Sequence, residues 1–233
     1  MNLLAFDTST ETLSVALQAG AAAPLCHVAP GGAQASATLI PCIEALLAQA
    51  GLSLRALDAI AFGRGPGSFT GLRTACAVAQ GLAFGADRPL LALDTLLAVA
   101  EEARAQGAGA RVVAVLDARM GEVYAARYAH EDDRWRTLQS PWLGPPESVL
   151  AAPGEVLAGN AFAALGDRLP AGVPRVEVLP TAGALLRLAP AALAAGQAVA
   201  AADALPLYIR DKVAQTTAER EQARATPARA SGT

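Results

Sequence analysis

The sequence predicts an α/β fold built twice over, with two subdomains, and three observations predict it. Through residues 1–106 short apolar runs and helical patterns follow one another in the order β-β-β-α-β-α. After Gly107-Ala108-Gly109, a plausible boundary, that order partly repeats. Each half also opens on an apolar run that meets an aspartate: Leu3 to Phe6 ends in Asp7, and Val112 to Leu116 ends in Asp117.

The elements follow in order. Leu3 to Asp7 is a short apolar strand closing on the polar turn Asp7-Thr8-Ser9-Thr10. Leu13, Val15 and Leu17 alternate, as one face of a second strand must. Pro24 to Val28 is a weaker third. Leu39, Ile40, Ile43, Leu46 and Leu47 recur at helical spacing, which gives a helix from about Ser36 to Ala50 with Gly51 as its stop. Ala59 to Phe62 is a strand running into a glycine-rich segment, Gly63 to Gly71, and a helix follows from Thr70 to Gly85. Leu90 to Leu93 and Thr95 to Gln106 complete the first unit, residues 1–106. In the second unit, residues 107–213, strands are expected at Val112 to Leu116, Gly121 to Tyr128, Arg134 to Leu138, Val156 to Leu157 and Val176 to Leu179, with a helix after Thr181. The polar tail, 214–233, is expected to be disordered.

Composition narrows the function. The 233 residues are 53% hydrophobic and 17% charged, with 18 basic against 21 acidic side chains and a net charge of −3. A chain without a basic footprint argues against tight autonomous binding to nucleic acid. Lys212 is the only lysine, so no Walker A loop can form. Two histidines, His27 and His130, exclude His-rich metal sites, and Cys26, Cys42 and Cys76 fit reduced cytosolic thiols. The start has no basic segment of a signal peptide. The Ala-rich stretch from Ala182 to Leu205 is broken by Arg187, Pro190, Gln197 and Asp203 before it reaches membrane-spanning length.

Three segments carry candidate chemistry. Asp7-Thr8-Ser9-Thr10 can hold a phosphate or a metal at a strand end, although an Asx turn closing a hairpin is the preferred reading. Gly63-Arg64-Gly65-Pro66-Gly67-Ser68 leads into a helix that Ser68 can cap. A phosphate cradle, a tight strand-to-helix turn and a surface for another chain all remain open there. Asp117 and Glu122 either flank a small ligand or belong to a strand-turn-strand with an Arg–carboxylate pair. The two N-terminal helices carry one charge each, Glu44 and Arg73, so they are expected to pair with another chain. Gly71, Ala75, Ala79 and Ala83 recur at every fourth position, spacing that lets a second helix approach. Leu39, Ile43, Leu72, Arg73 and Cys76 join them in the expected pairing surface.

The segment Gly63-Arg64-Gly65-Pro66-Gly67-Ser68-Phe69-Thr70-Gly71-Leu72-Arg73 resembles the signature of the TsaB (YeaZ) family. Leu4 to Ser9, Ala79 to Ala83, Asp117 to Tyr124 and Leu207-Tyr208-Ile209-Arg210 match in order, so the resemblance spans residues 1 to 213. It implies a duplicated actin/hexokinase/Hsp70-like (ribonuclease H-like) fold. It also implies a non-catalytic dimerisation subunit, without a cofactor of its own, for threonylcarbamoylation of the tRNA adenosine beside the anticodon. The implied partners are a TsaD-type transferase and a TsaE-type ATPase. Alone, the chain is expected to form a homodimer; it is expected to be cytoplasmic and to reach tRNA only through the complex. The transferase paralogue holds its metal through paired histidines on its first helix, and the matching stretch here, Gln34 to Pro41, has none. Gly159-Asn160 is the nearest remnant of an adenosine-binding motif. Asp7, Thr8, Ser9 and Asp117 are thereby vestigial phosphate loops, and a small-molecule kinase of the same fold is the alternative, to be separated by ATP turnover.

Overall fold

The computed structural model describes residues 1–210; the expected tail at 214–233 lies outside them. The first half consists of β1 (Leu3–Asp7), β2 (Thr12–Gln18), β3 (Leu25–Pro30), α1 (Ala35–Ala50), β4 (Ala59–Gly65), α2 (Phe69–Ala86), β5 (Leu90–Asp94) and α3 (Thr95–Ala105). The second consists of β6 (Arg111–Arg119), β7 (Glu122–Glu131), β8 (Arg134–Gly144), β9 (Val156–Gly159), the one-turn α4 (Phe162–Leu165), β10 (Arg175–Glu177) and α5 (Ala182–Ala194).

Each half is a five-stranded mixed sheet. The orders are β3-β2-β1-β4-β5 and, read in the same sense, β8-β7-β6-β9-β10. In both, the opening strand pairs antiparallel with the second and parallel with the fourth. This identity of order is the duplication, and the fold is the actin/hexokinase-like two-subdomain α/β fold. The halves are unequal copies. Between β8 and β9 only a single 3-10 turn stands where the first half has α1, and α4 is reduced to four residues where it has the eighteen of α2.

Both faces of the first sheet are covered at its centre, so β1 and the start of β4 read as unbroken apolar runs, while the edge strand β3 is largely exposed. Along β1, Leu4 and Phe6 point into a core shared with α1 and α2, while Leu3 and Ala5 point into a second core shared with α5. In the second sheet Val112, Ala114 and Leu116 face α3, and Val113 and Val115 face a core with Val149 and Leu165.

The packing departs from the sequence order at one place. The helix after Thr181, expected to complete the second unit, lies instead on the first sheet. Thr181 caps it by accepting from the Ala184 N–H at 3.0 Å, and the Ala182 N–H donates to the Ser14 hydroxyl of β2 at 2.9 Å. Its partner α3, from the first unit, packs on the second sheet. The halves thus exchange their last helices. Ala5, Ala16, Ala59 and Ala61 keep the sheet face flat enough for α5 to approach.

Glu101 of α3 is the polar node between them. It accepts from Arg187 of α5 at 2.8 Å, from the Trp135 indole N–H of β8 at 2.9 Å and from Arg104 at 3.1 Å.

Candidate functional site

Two surfaces stand out: a cleft between the halves and the outer face of α1 and α2. The cleft, about 470 Å³, opens beyond the carboxyl ends of β1 and β6. Mixed α/β sheets commonly bind ligands at such strand ends. One wall carries Ser9, Thr10, Glu11, Ser68 and Phe69, the other Asp117, Arg119, Met120, Tyr124 and Asn160.

Asp7 sits at the end of β1, but its carboxylate does not open into the cleft. It is buried, and one oxygen accepts from the Ser9 N–H at 2.8 Å and the Ser9 hydroxyl at 2.5 Å, an Asx turn. The other accepts from Thr95 at 3.3 Å. Burial raises its pKa above the ordinary carboxylate value, and the bonds from Ser9 and Thr95 oppose that rise without cancelling it. Thr8 is equally sealed, its hydroxyl donating to the Gly71 carbonyl at 2.7 Å.

The glycine segment closes around that turn. A Cβ at Gly63 would overlap the Asp7 carboxylate, one at Gly71 the Thr8 carbonyl, and one at Gly67 would stand 2.6 Å from the Ser9 carbonyl. The space that a phosphate cradle needs is filled by the chain's own β1–β2 turn. Arg64 is turned aside to Asp94 at 2.6 Å, Pro66 is buried, and Ser68 makes no side-chain cap to α2.

Opposite, the β6–β7 turn is two residues long, Met120 and Gly121, both at positive φ, the twist that joins adjacent strands. Asp117 steadies it by accepting from the Arg119 N–H at 2.7 Å and the Arg119 guanidinium at 3.0 Å. Glu122 pairs with Arg210 at 2.7 Å. The strand-turn-strand with Arg–carboxylate pairs is therefore what forms. The Asp117 N–H donates to Asn160, whose amide reaches Glu11 across the cleft at 3.5 Å. Among the described residues no group of three or more His, Cys, Asp and Glu is placed to hold a metal, and no helix is long and apolar enough to cross a membrane.

The expected pairing face needs a correction. Leu39, Ile43, Gly71, Leu72, Ala75, Cys76, Ala79 and Ala83 are all buried within the chain itself. The every-fourth stripe Gly71, Ala75, Ala79, Ala83 brings α2 down onto β4 and the β1–β2 turn, not onto another chain. Of the nine residues expected at the interface only Arg73 is exposed, and it lies over the Phe69 ring at 3.9 Å. The opposite faces of the same helices are open. On α1 they present Ala37, Ile40, Pro41, Glu44, Ala45 and Ala48; on α2, Ala77, Gly81, Phe84 and Gly85. Phe84 is 85% exposed and Ile40 43%. The sequence reading missed these two. Phe84 stands five positions from Ala79, about 140° around the helix from the small-residue stripe, and that rotation was the available signal.

The comparisons agree with this architecture. A family model described as "TsaD: tRNA N6-adenosine threonylcarbamoyltransferase" matches residues 27–228. The chain is 36% identical to the tRNA threonylcarbamoyladenosine biosynthesis protein TsaB of Haemophilus influenzae, over 91% of this chain and 95% of that one. It is 37% identical to TsaB of Escherichia coli, over 92% and 96%. Among solved structures, YeaZ from Pseudomonas aeruginosa superposes with a TM-score of 0.82 at 42% identity, covering 89% of this chain and 99% of that one. Near-complete coverage in both directions, together with the duplicated sheet order, shows that the chain belongs to the TsaB (YeaZ) family.

Proposed function

We propose that this chain is a non-catalytic subunit of the machinery that places threonylcarbamoyl on the tRNA adenosine beside the anticodon. It pairs with a TsaD-type transferase through the outer face of α1 and α2, and a TsaE-type ATPase joins the pair. Without that partner the same face forms a homodimer. The complex works in the cytoplasm and touches tRNA through the partner's surface, since this chain carries a net charge of −3.

The observation that carries the reading is the pair Gly81 and Gly85. Both lie on the outer face of α2, and a Cβ on either would meet nothing within 4 Å. Glycine in a helix costs roughly 0.5–1 kcal/mol against alanine, and none of the described residues uses the space it leaves. A second backbone coming close would use it. Phe84 between them, standing free in water, supplies the apolar anchor such an interface needs. The family supports the partner class, because its curated relatives are named for tRNA threonylcarbamoyladenosine biosynthesis. A kinase reading draws no support from Asp7, whose oxygens are spent on Ser9 and Thr95.

The test is reconstitution. The chain is co-purified with a TsaD-type partner, and threonylcarbamoyl transfer from threonylcarbamoyl-AMP to tRNA is measured with each protein alone and with both. Transfer that needs both proteins is the expected result. Transfer by this chain alone, or ATP turnover by it alone, overturns the proposal.

A further inference from the structure

The matching segment Leu207-Tyr208-Ile209-Arg210 has no part in the pairing face, yet each of its residues is held by a neighbour. The chain reaches it along α2, where the Ala204 carbonyl accepts from Gln80 at 3.0 Å and from the Cys76 thiol at 3.4 Å. The Leu207 N–H donates to the Arg64 carbonyl at 2.7 Å, and the Leu207 carbonyl lies where a Cβ on Gly65 would stand, 2.8 Å away. The Tyr208 ring packs on Phe69 with centroids 5.5 Å apart, and its hydroxyl accepts from Arg73 at 3.1 Å. All of these anchors belong to the first subdomain.

Ile209 packs against the core between α3 and the second sheet, and Arg210 crosses to the second subdomain. Its guanidinium pairs with Glu122 at 2.7 Å, donates to the Ala118 carbonyl at 3.1 Å and meets the Met120 sulfur at 3.7 Å. The side chain is only 16% exposed. A planar donor fork held by a carboxylate and a backbone carbonyl is a stiff attachment. Elsewhere in the cleft the two walls meet, among the described residues, where the Asn160 amide reaches Glu11 at 3.5 Å. That length is at the edge of hydrogen bonding and resists opening little.

We propose that Leu207–Arg210 is an interdomain clasp: anchored on the first subdomain, it grips the β6–β7 turn of the second through Arg210 and fixes how far the cleft between them opens. The packed helices α3 and α5 at the base of the cleft act as the hinge, and the clasp sets its angle. Any occupant that widens the cleft must first break the Arg210–Glu122 pair.

Hydrogen exchange of the full-length chain tests this, read segment by segment for wild type, Arg210→Met and Glu122→Gln. Methionine keeps the packing stem and removes the guanidinium. Arg210→Met is expected to raise exchange about tenfold, the loss of one charge-assisted contact, at 118–122. The same rise is expected across the cleft at 10–12 and 159–161, which Arg210 does not touch. The central strands β1, β4 and β6 are expected to keep their protection. Glu122→Gln should do the same to a smaller degree. A rise confined to 118–122 would make Arg210 a local brace and overturn the clasp. So would unchanged exchange, or a uniform rise that includes the central strands. Exchange left unchanged by Glu122→Gln overturns the assignment of Glu122 as the gripping point.

Discussion

The Thr8 hydroxyl donates to the Gly71 carbonyl at 2.7 Å, while the Thr8 carbonyl occupies the place where a Cβ on Gly71 would stand. The β1–β2 turn and the first turn of α2 are thus locked face to face, with backbone against backbone. Gly71→Ala must force the two apart, because neither side is a flexible chain end. The expected cost is about 2–4 kcal/mol in urea unfolding, against about 1 kcal/mol for Thr8→Val, which removes the hydrogen bond and keeps the shape. Equal effects of the two would mean that the close approach carries no stability.

Glu101 gives the stability of the chain an acid limb. Burial by itself raises a carboxylate's pKa, but hydrogen bonds from Arg104, Trp135 and Arg187 outweigh it and hold Glu101 below its usual value. A depressed carboxylate contributes stability that is present above the unfolded value, about 4.3, and is lost as pH falls through the folded one. Glu101→Gln is expected to cost about 1–3 kcal/mol at pH 7, since it weakens three charge-assisted or indole bonds to one buried group while Arg187 keeps Glu102 as a partner. The gap between wild type and variant should begin to narrow as pH falls through about 4.3 and go on narrowing towards the lowered folded value. A gap that stays constant from pH 7 to pH 3 would count against Glu101 as the titrating group.

The fold was legible because both sheets are covered on two sides. Continuous apolar runs such as Leu3 to Phe6 and Val112 to Leu116 announce buried parallel strands, and the aspartate after each marks the repeat. Two matters were not legible. The exchange of α3 and α5 between halves is a long-range choice, written in small residues such as Ala5 and Ala61 on one face of the sheet and not in the local period. The direction of the helix faces was misread for a related reason. Ala75, Ala79 and Ala83 suit close approach to any backbone, and nothing local says whether it is the chain's own strand β4 or a partner's helix. Exposed Phe84 decides between them only once the neighbours are placed.

In the second subdomain Glu155 is sealed from solvent, its side chain 0% exposed. Arg127 supplies its countercharge at 2.8 Å and the Ala152 N–H a further bond at 2.7 Å. Removing the arginine leaves a buried carboxylate half-satisfied. Arg127→Met is expected to destabilise by about 3–5 kcal/mol, read as a lower denaturation midpoint with unchanged slope, whereas Arg127→Met with Glu155→Leu should recover much of the loss. If the single variant costs less than the double, the pair is not what holds Glu155 in place.

The two sides of α2 separate folding from association. Ala79 is fully buried against β4, so Ala79→Arg drives a charge into the core. Its expected cost exceeds about 4 kcal/mol, enough to abolish the cooperative melt of a domain of ordinary stability. Gly81, two positions on, faces open space, and a Cβ there meets nothing among the described residues. Gly81→Arg should therefore leave the isolated chain folded and raise its stability by roughly 0.5–1 kcal/mol through the lost flexibility of glycine. At a close helix interface the same arginine has no room, and partner affinity should fall about a hundredfold or more. The measurement is binding to a TsaD-type partner beside thermal melting at several protein concentrations, so that any homodimer contribution to the melt is seen and removed. Lost binding with a preserved melt places the pairing surface on the outer face of α2. Preserved binding moves it elsewhere, because no association that uses the gap at Gly81 can survive a guanidinium planted in it.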